Sequence, residues 1–175
     1  MSGVRGLLNA LNTASHRCGV RVITSYLLAS VEDVRIAVPV TAVEEIVRAV
    51  ALTPLASAPA IIEGAINVRG VLLPVIDLRV RLGLPRRAIE PSDFLVVLRL
   101  PARRAVIRVD DTDDVVHIDD TAITIPASLS ASLTGTPVLA GVATTADGAL
   151  AIYDPAAFLS QAELEATEGA LPTAS

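Results

Sequence analysis

The residues of this chain that could do chemistry gather in two places. One is the acidic run DDTDDVVHIDD, Asp110 to Asp120, which sets aspartates around His117. Aspartates beside a histidine are the donor set of a metal site or the acid–base half of a hydrolytic cluster. The other is INVRGVLLPVIDL, Ile66 to Leu78, where Asn67, Arg69 and Asp77 interrupt an otherwise aliphatic segment. An arginine on a glycine turn can bind phosphate or stabilise an oxyanion.

Spacing argues against each chemical reading. A calcium loop of the EF-hand type starting at Asp111 needs glycine at its sixth position and glutamate at its twelfth. Val116 and Ala122 stand there instead. A zinc or iron site needs ligands beyond His117 and the aspartates, and the other histidine, His16, lies far off near the N-terminus. The expectation is a solvated acidic turn between strands, with no metal and no cofactor. Nucleophilic catalysis has no G-x-S-x-G, and Ser128, Ser130 and Ser132 fall in a polar loop. Asp77 is explained as a helix cap rather than a general base. A small β-barrel hydrolase using Asp and His is the competing class, and it lacks a nucleophile.

Composition narrows the field further. All basic residues are arginine, which removes lysine Schiff-base and P-loop chemistry. A net charge of −5 gives no basic field for nucleic acid, and aromatics at 2% supply no stacking platform. Apolar residues at 52% of 175 suffice for one packed domain or two small ones sharing a core. Cys18 is alone, so no intrachain disulfide forms, in keeping with a reducing cytosol. No apolar run reaches about 18 residues, so no direct membrane insertion is expected. The chain reads as a soluble cytoplasmic protein.

The elements that must position these residues read as β. Residues 1–24 are an N-terminal extension in which Leu7, Leu8 and Leu11 could share one amphipathic turn. SYLLASV and VRIAVPV flank a turn at Glu32-Asp33, with Pro39 at a strand end. Val43 to Val50 is β-branched and extended. AINVRG and VLLPVID meet in a hairpin at Arg69-Gly70, with Asn67 fixing the turn and Pro74 marking a strand end or kink. Asp77 caps a short helix over Leu78–Leu82 that Gly83 ends. Arg79 and Arg81 are expected to face solvent. FLVVLRL and RRAVIRV pair around Pro101-Ala102, and VLAGVATT and ALAIYDP around Asp147-Gly148. Asp154 and Pro155 open a last helix over roughly Ala156 to Glu168. A weak repeat relates Tyr26 through Glu44-Glu45-Ile46-Val47 to Phe94 through Asp113-Asp114-Val115-Val116. Repeated β units of this size suggest two related small barrels.

The ordered set of residues resembles the CheW-like domain family of bacterial chemotaxis. Gly64, Asn67, Arg69, Gly70, Pro74, Asp77 and Leu78 match its signature segment. Val43, Glu45 and Ile46 match an earlier Val-x-Glu-Ile, and Val109, Asp110, Asp114 and Val115 match a later aliphatic-Val-Asp…Asp-Val segment. Asp111 stands where members often carry glycine. The resemblance covers about residues 25–160 and leaves 161–175 as the end of the C-terminal helix and a tail. It implies an all-β fold of two intertwined five-stranded SH3-like barrels with a hydrophobic seam. It implies no catalysis. The implied role is an adapter between the cytoplasmic tip of a methyl-accepting chemoreceptor and the regulatory domain of a CheA-type histidine kinase. It implies that Val43, Glu45, Ile46, Arg69, Gly70 and Val71 face the receptor, with Gly64, Pro74 and Asp77 structural and a pair between Arg69 and Glu45. It assigns no residue to the kinase. The alternative is a stand-alone regulatory module of a divergent, pilus-type or other two-component pathway.

Overall fold

Tight turns set the strand pairs. Glu32 and Arg69 both hold positive φ, at 53° each, and Gly70 follows at 84°. Two successive positive φ values make the primed hairpin turn whose twist suits antiparallel strands. The computed structural model describes residues 21–125 and 139–171. In order, the strands are β1 (Ile23–Val31), β2 (Val34–Pro39), β3 (Val43–Arg48), β4 (Ile62–Val68), β5 (Val71–Asp77), β6 (Phe94–Arg99), β7 (Arg104–Val109), β8 (Asp111–Asp119), β9 (Ile123–Thr124), β10 (Leu139–Thr145) and β11 (Gly148–Tyr153). Helix α1 is Leu78–Leu82 and α2 is Gln161–Ala170. Leu7, Leu8, Leu11, His16, Cys18, Ser128, Ser130 and Ser132 lie outside the described residues.

The fold is all-β in two sheets. One runs β8-β1-β2-β11-β10-β9 and the other β3-β6-β7-β5-β4. Five-stranded units were expected; the first sheet has a sixth, the two-residue β9. The two orders superimpose pair by pair. Antiparallel β1–β2 corresponds to β6–β7, parallel β2–β11 to β7–β5, and antiparallel β11–β10 to β5–β4. The first half of the chain thus lends its hairpin β1–β2 to the sheet that the second half completes, and the second half returns β6–β7.

Both sheets curl until their edges meet. Thr53 and Ala65 exchange backbone hydrogen bonds of 2.8 Å each, joining the chain just past β3 to the opposite edge strand β4. The counterpart in the other sheet is β9, which continues β8 through Asp120–Ala122 and pairs with β10. A glycine sits at each closure. A Cβ on Gly64 would lie 2.7 Å from the Thr53 carbonyl oxygen, and one on Gly141 would lie 2.6 Å from Ile123 Cγ2. These are the close backbone approaches that exclude a side chain.

Curling gives central strands such as β1 and β6 two buried faces. In β6, Val96 and Leu98 enter the seam between the sheets, while Leu95 and Val97 fill the interior of their own sheet. In β1, Leu27, Ala29 and Val31 face the seam, and Tyr26 and Leu28 face the other interior. This is why FLVVL reads as an unbroken apolar run rather than an alternation.

Several expectations are corrected. The acidic run is not a solvated turn: Asp111–Asp119 is strand β8, laid along β1. Pro74 is inside β5, not at an end. The ladder to β7 begins only at Val75, so the missing N–H costs no pairing there. The last helix does not start at Ala156. Pro155–Ala157 is a separate 3-10 turn capped by Asp154, and α2 starts after Ser160, whose side chain forms a capping box with Glu163.

Gly64→Ala and Gly141→Ala should each cost about 1–3 kcal/mol, since the new methyl presses on backbone or on a β-branched side chain. Urea unfolding checks this. A Gly64→Ala protein as stable as wild type would show that the closure is slack.

Candidate functional site

Two groupings of polar side chains stand out, one buried at the sheet junction and one exposed at the β3 edge. The buried one positions the other. Arg79 on α1 pairs with Glu32 in the β1–β2 turn and with Asp110, where the chain crosses from β7 to β8. Its side chain is 1% exposed, contrary to the expectation of a solvent-facing arginine. Arg81, expected in solvent as well, is half-buried and donates to the Phe158 carbonyl and to Glu163. The physical reason is the placing of α1: capped by Asp77 and stopped by Gly83 in the left-handed region, it turns Leu78 and Arg79 onto the junction and leaves Val80 to face water.

Asp110 is the hub of the buried group. It accepts the Glu32 N–H at 2.8 Å and a hydrogen bond from Arg87 at 2.9 Å, besides the bond from Arg79. Burial pushes its carboxyl up, but those donors outweigh it and hold it below the usual range. Burial opposes the Arg79 charge too, yet its bonds to Asp110 and Glu32 leave its pKa raised. Arg87 also holds Asp93 at 2.7 Å, and buried Arg108 lies 3.1 Å from Glu63.

The exposed grouping holds the receptor-facing residues implied by the family resemblance. The β3 bulge pairs Val43 with Leu98 and Glu45 with Val97, leaving Glu44 as the extra residue. Glu44 turns to Arg104 at 3.2 Å, and Glu45 turns to Arg69 at 3.1 Å. β3 and the β4–β5 turn belong to opposite edges of their sheet, so curling is what brings Glu45 and Arg69 together. Arg69 is 75% exposed. Asn67 Oδ1 accepts the Gly70 N–H at 2.8 Å and fixes the turn beneath it. Ile46 and Val71 are 39% and 43% exposed. Val43 is half-buried and Gly70 exposed. Val71, Leu72 and Pro74 continue into an apolar cavity of about 220 Å³, closed on the far side by Leu159, Leu164 and Leu171. Glu45 Oε1 is buried without a hydrogen-bond partner.

Among the described residues, the groups that could react are engaged separately. His117 Nδ1 is hydrogen-bonded to Ser25 Oγ at 2.8 Å, and among the described residues no three His, Cys, Asp or Glu side chains converge to hold a metal. Asp77 is occupied by the Arg79 N–H at 3.0 Å. Among the described residues, no helix is long and apolar enough to cross a membrane.

Comparison with known proteins gives the family. The family model for the CheW-like domain matches residues 25–163. The chain belongs to the CheW-like domain family. It is 29% identical over 154 residues to the chemotaxis protein CheW of Klebsiella aerogenes, covering 88% of this chain and 92% of that protein. It is 35% identical over 92 residues to chemotaxis protein CheW of Rhizobium meliloti, covering 51% and 58%. Among solved structures, the crystal structure of the scaffolding protein TtCheW from Thermoanaerobacter tengcongensis matches with a TM-score of 0.67 at 27% identity. That match covers 76% of this chain and 90% of TtCheW. CheW-like proteins are adapters and scaffolds, and this one is not an enzyme.

Arg79, Arg87 and Arg108 escaped the sequence reading of function and structure alike. The available signal was Arg108 inside AVIRV, since a charge in a strand buried on both faces requires carboxylate partners. Arg79→Ala strips Asp110 and Glu32 of their shared partner and should destabilise the fold by about 3 kcal/mol or more. A denaturant midpoint close to wild type would contradict this.

Proposed function

We propose that this chain is a non-enzymatic adapter that couples the cytoplasmic tip of a chemoreceptor to the regulatory domain of a CheA-type histidine kinase. It works in the cytoplasm, recruited to membrane-bound receptor arrays. The receptor-facing surface comprises Val43, Glu45, Ile46, Arg69, Gly70 and Val71, and residues 25–160 form the adapter proper.

The observation that carries this reading is the exposed Arg69–Glu45 pair flanked by exposed Ile46 and Val71. A salt bridge this exposed contributes little stability, at most about 1 kcal/mol. Arg69 also sits at φ 53°, a backbone state disfavoured for a residue with a Cβ by roughly 1–2 kcal/mol. An asparagine would suit that turn position better. Strain held at an exposed arginine, beside uncovered aliphatic side chains, suits a binding role more than a structural one. An amphipathic helix can lay its apolar side chains along Ile46 and Val71. Each buried anchor adds on the order of 1–2 kcal/mol. Holding kinase and receptor together raises their effective concentration, so modest affinity at each surface suffices.

Arg69→Asn separates the two roles. The variant should melt at or slightly above the wild-type temperature, because backbone strain falls. It should lose about tenfold or more in receptor-dependent kinase activation, as expected for a hot-spot arginine. The readout is autophosphorylation of a reconstituted mixture of receptor fragment, kinase and adapter. Wild-type coupling by Arg69→Asn would remove this surface from the account. Binding of the wild-type chain to the kinase regulatory domain alone would favour a stand-alone module.

A further inference from the structure

The buried arginine–carboxylate group at the sheet junction has one member without a secure partner. Arg108 of β7 is shared among three carboxylates: Glu63 at 3.1 Å, Asp77 at 3.7 Å and Asp93 at 3.9 Å. Two of the three are held independently. Asp77 accepts the Arg79 N–H at 3.0 Å, and Asp93 accepts from Arg87 at 2.7 Å and from the Glu90 N–H at 2.9 Å. Glu63 has no such support. Its Oε2 is buried without a hydrogen bond, and so is Nη1 of Arg108. Glu63 is also the extra residue of the β4 bulge, where Ile62 pairs with Ile76 and Gly64 with Val75. The bulge turns it toward Arg108 rather than into the ladder.

We propose that Glu63 is the proton-binding site of this network, neutral in the tightest form of the fold, and that losing its proton loosens β4 against the closing bridge at Thr53. The groups that face it are Arg108 on β7, Asp77 at the end of β5, Arg86 and Arg87 in the segment after α1, and Asp93 before β6. Burial dominates and raises its carboxyl; Arg108 lowers it, Asp77 raises it, Arg86 lowers it and Asp93 raises it. The balance lies at about 7 against an ordinary 4.5. A cavity of about 360 Å³ bordered by Glu63, Asp77, Arg86 and Arg87 gives the proton a path to solvent. Gly64, the next residue, is the one pressed against Thr53, and β4 leads on to the Arg69 turn. Loss of the proton therefore acts on the strand that carries the exposed surface.

The sign follows from linkage. The folded state holds this proton to higher pH than the unfolded chain does. The stability it contributes is complete below about pH 4.5 and is lost as pH rises through about 7. Asp110 and Glu163, whose carboxyls are lowered, act at more acid pH and in the opposite direction. The window from pH 5 to 7.5 thus separates Glu63 from those carboxyls and leaves the histidines as the groups to control for.

The experiment is urea unfolding of the full chain across that window, for wild type, Glu63→Gln and a His16→Asn/His117→Asn control. The wild-type unfolding constant should rise roughly 10- to 100-fold from pH 5 to 7.5. Glu63→Gln should flatten that slope, and the histidine control should keep it. A flat wild-type profile, or a slope that survives in Glu63→Gln, overturns the proposal. Because Glu63→Gln could fail to fold, the side-chain carboxyl carbon of Glu63 in wild-type protein is also titrated by NMR. A midpoint near 7 supports the assignment, and one below 5 overturns it.

Discussion

Asp110 lies where the chain leaves one sheet for the other, and what it binds holds the two together. Its carboxylate takes the Glu32 amide from the lent hairpin, Arg79 from α1 and Arg87 from the segment linking the halves. Each sheet contains strands from both halves, so neither half buries its own interior alone. The hydrophobic seam supplies the bulk of the stabilisation, as apolar burial does in any domain. It does not by itself fix which hairpin goes where. The ion pairs at the crossing tie the lent hairpin, α1 and the linking segment to one carboxylate group, a directional contact of the kind that can set registry.

The exposed surface inherits its geometry from this arrangement. Glu45 and Arg69 meet only because the five-stranded sheet curls, and the curl depends on a glycine where β4 passes Thr53. The bulge in β3 re-aims Glu44 and Glu45, and the bulge in β4 re-aims Glu63. Two irregularities in adjoining edge strands therefore divide the labour. One builds an outward-facing pair, and the other draws a carboxylate into the junction.

Much of this was legible in the sequence, for identifiable reasons. Hairpins at Arg69-Gly70 and Asp147-Gly148 were readable because turn chemistry is local. The weak repeat was readable because both halves use the same hairpin followed by an acidic extended strand. The repeat alone carries two related units; their exchange of hairpins enters only with the family resemblance, since strand partners are not written in spacing. The arginine network was illegible for a like reason: Arg79 looks like any surface arginine on a short helix until Glu32 and Asp110 are brought to it. The start of α2 was misread although Ser160 and Glu163 carried a capping-box spacing, because Pro155 offered an earlier and more conspicuous start. Gly141 went unnoticed, since a glycine in a strand announces a close approach only once the opposing chain is known.

The central claim is that the β3 edge and the β4–β5 turn form one docking surface. The most direct measurement is an NMR titration of isotope-labelled protein with a chemoreceptor signalling hairpin. The account predicts that backbone amides of Val43–Ile46 and Arg69–Val71 shift together and saturate with one affinity. Shifts confined to β8, β10 and β11 of the other sheet would contradict it.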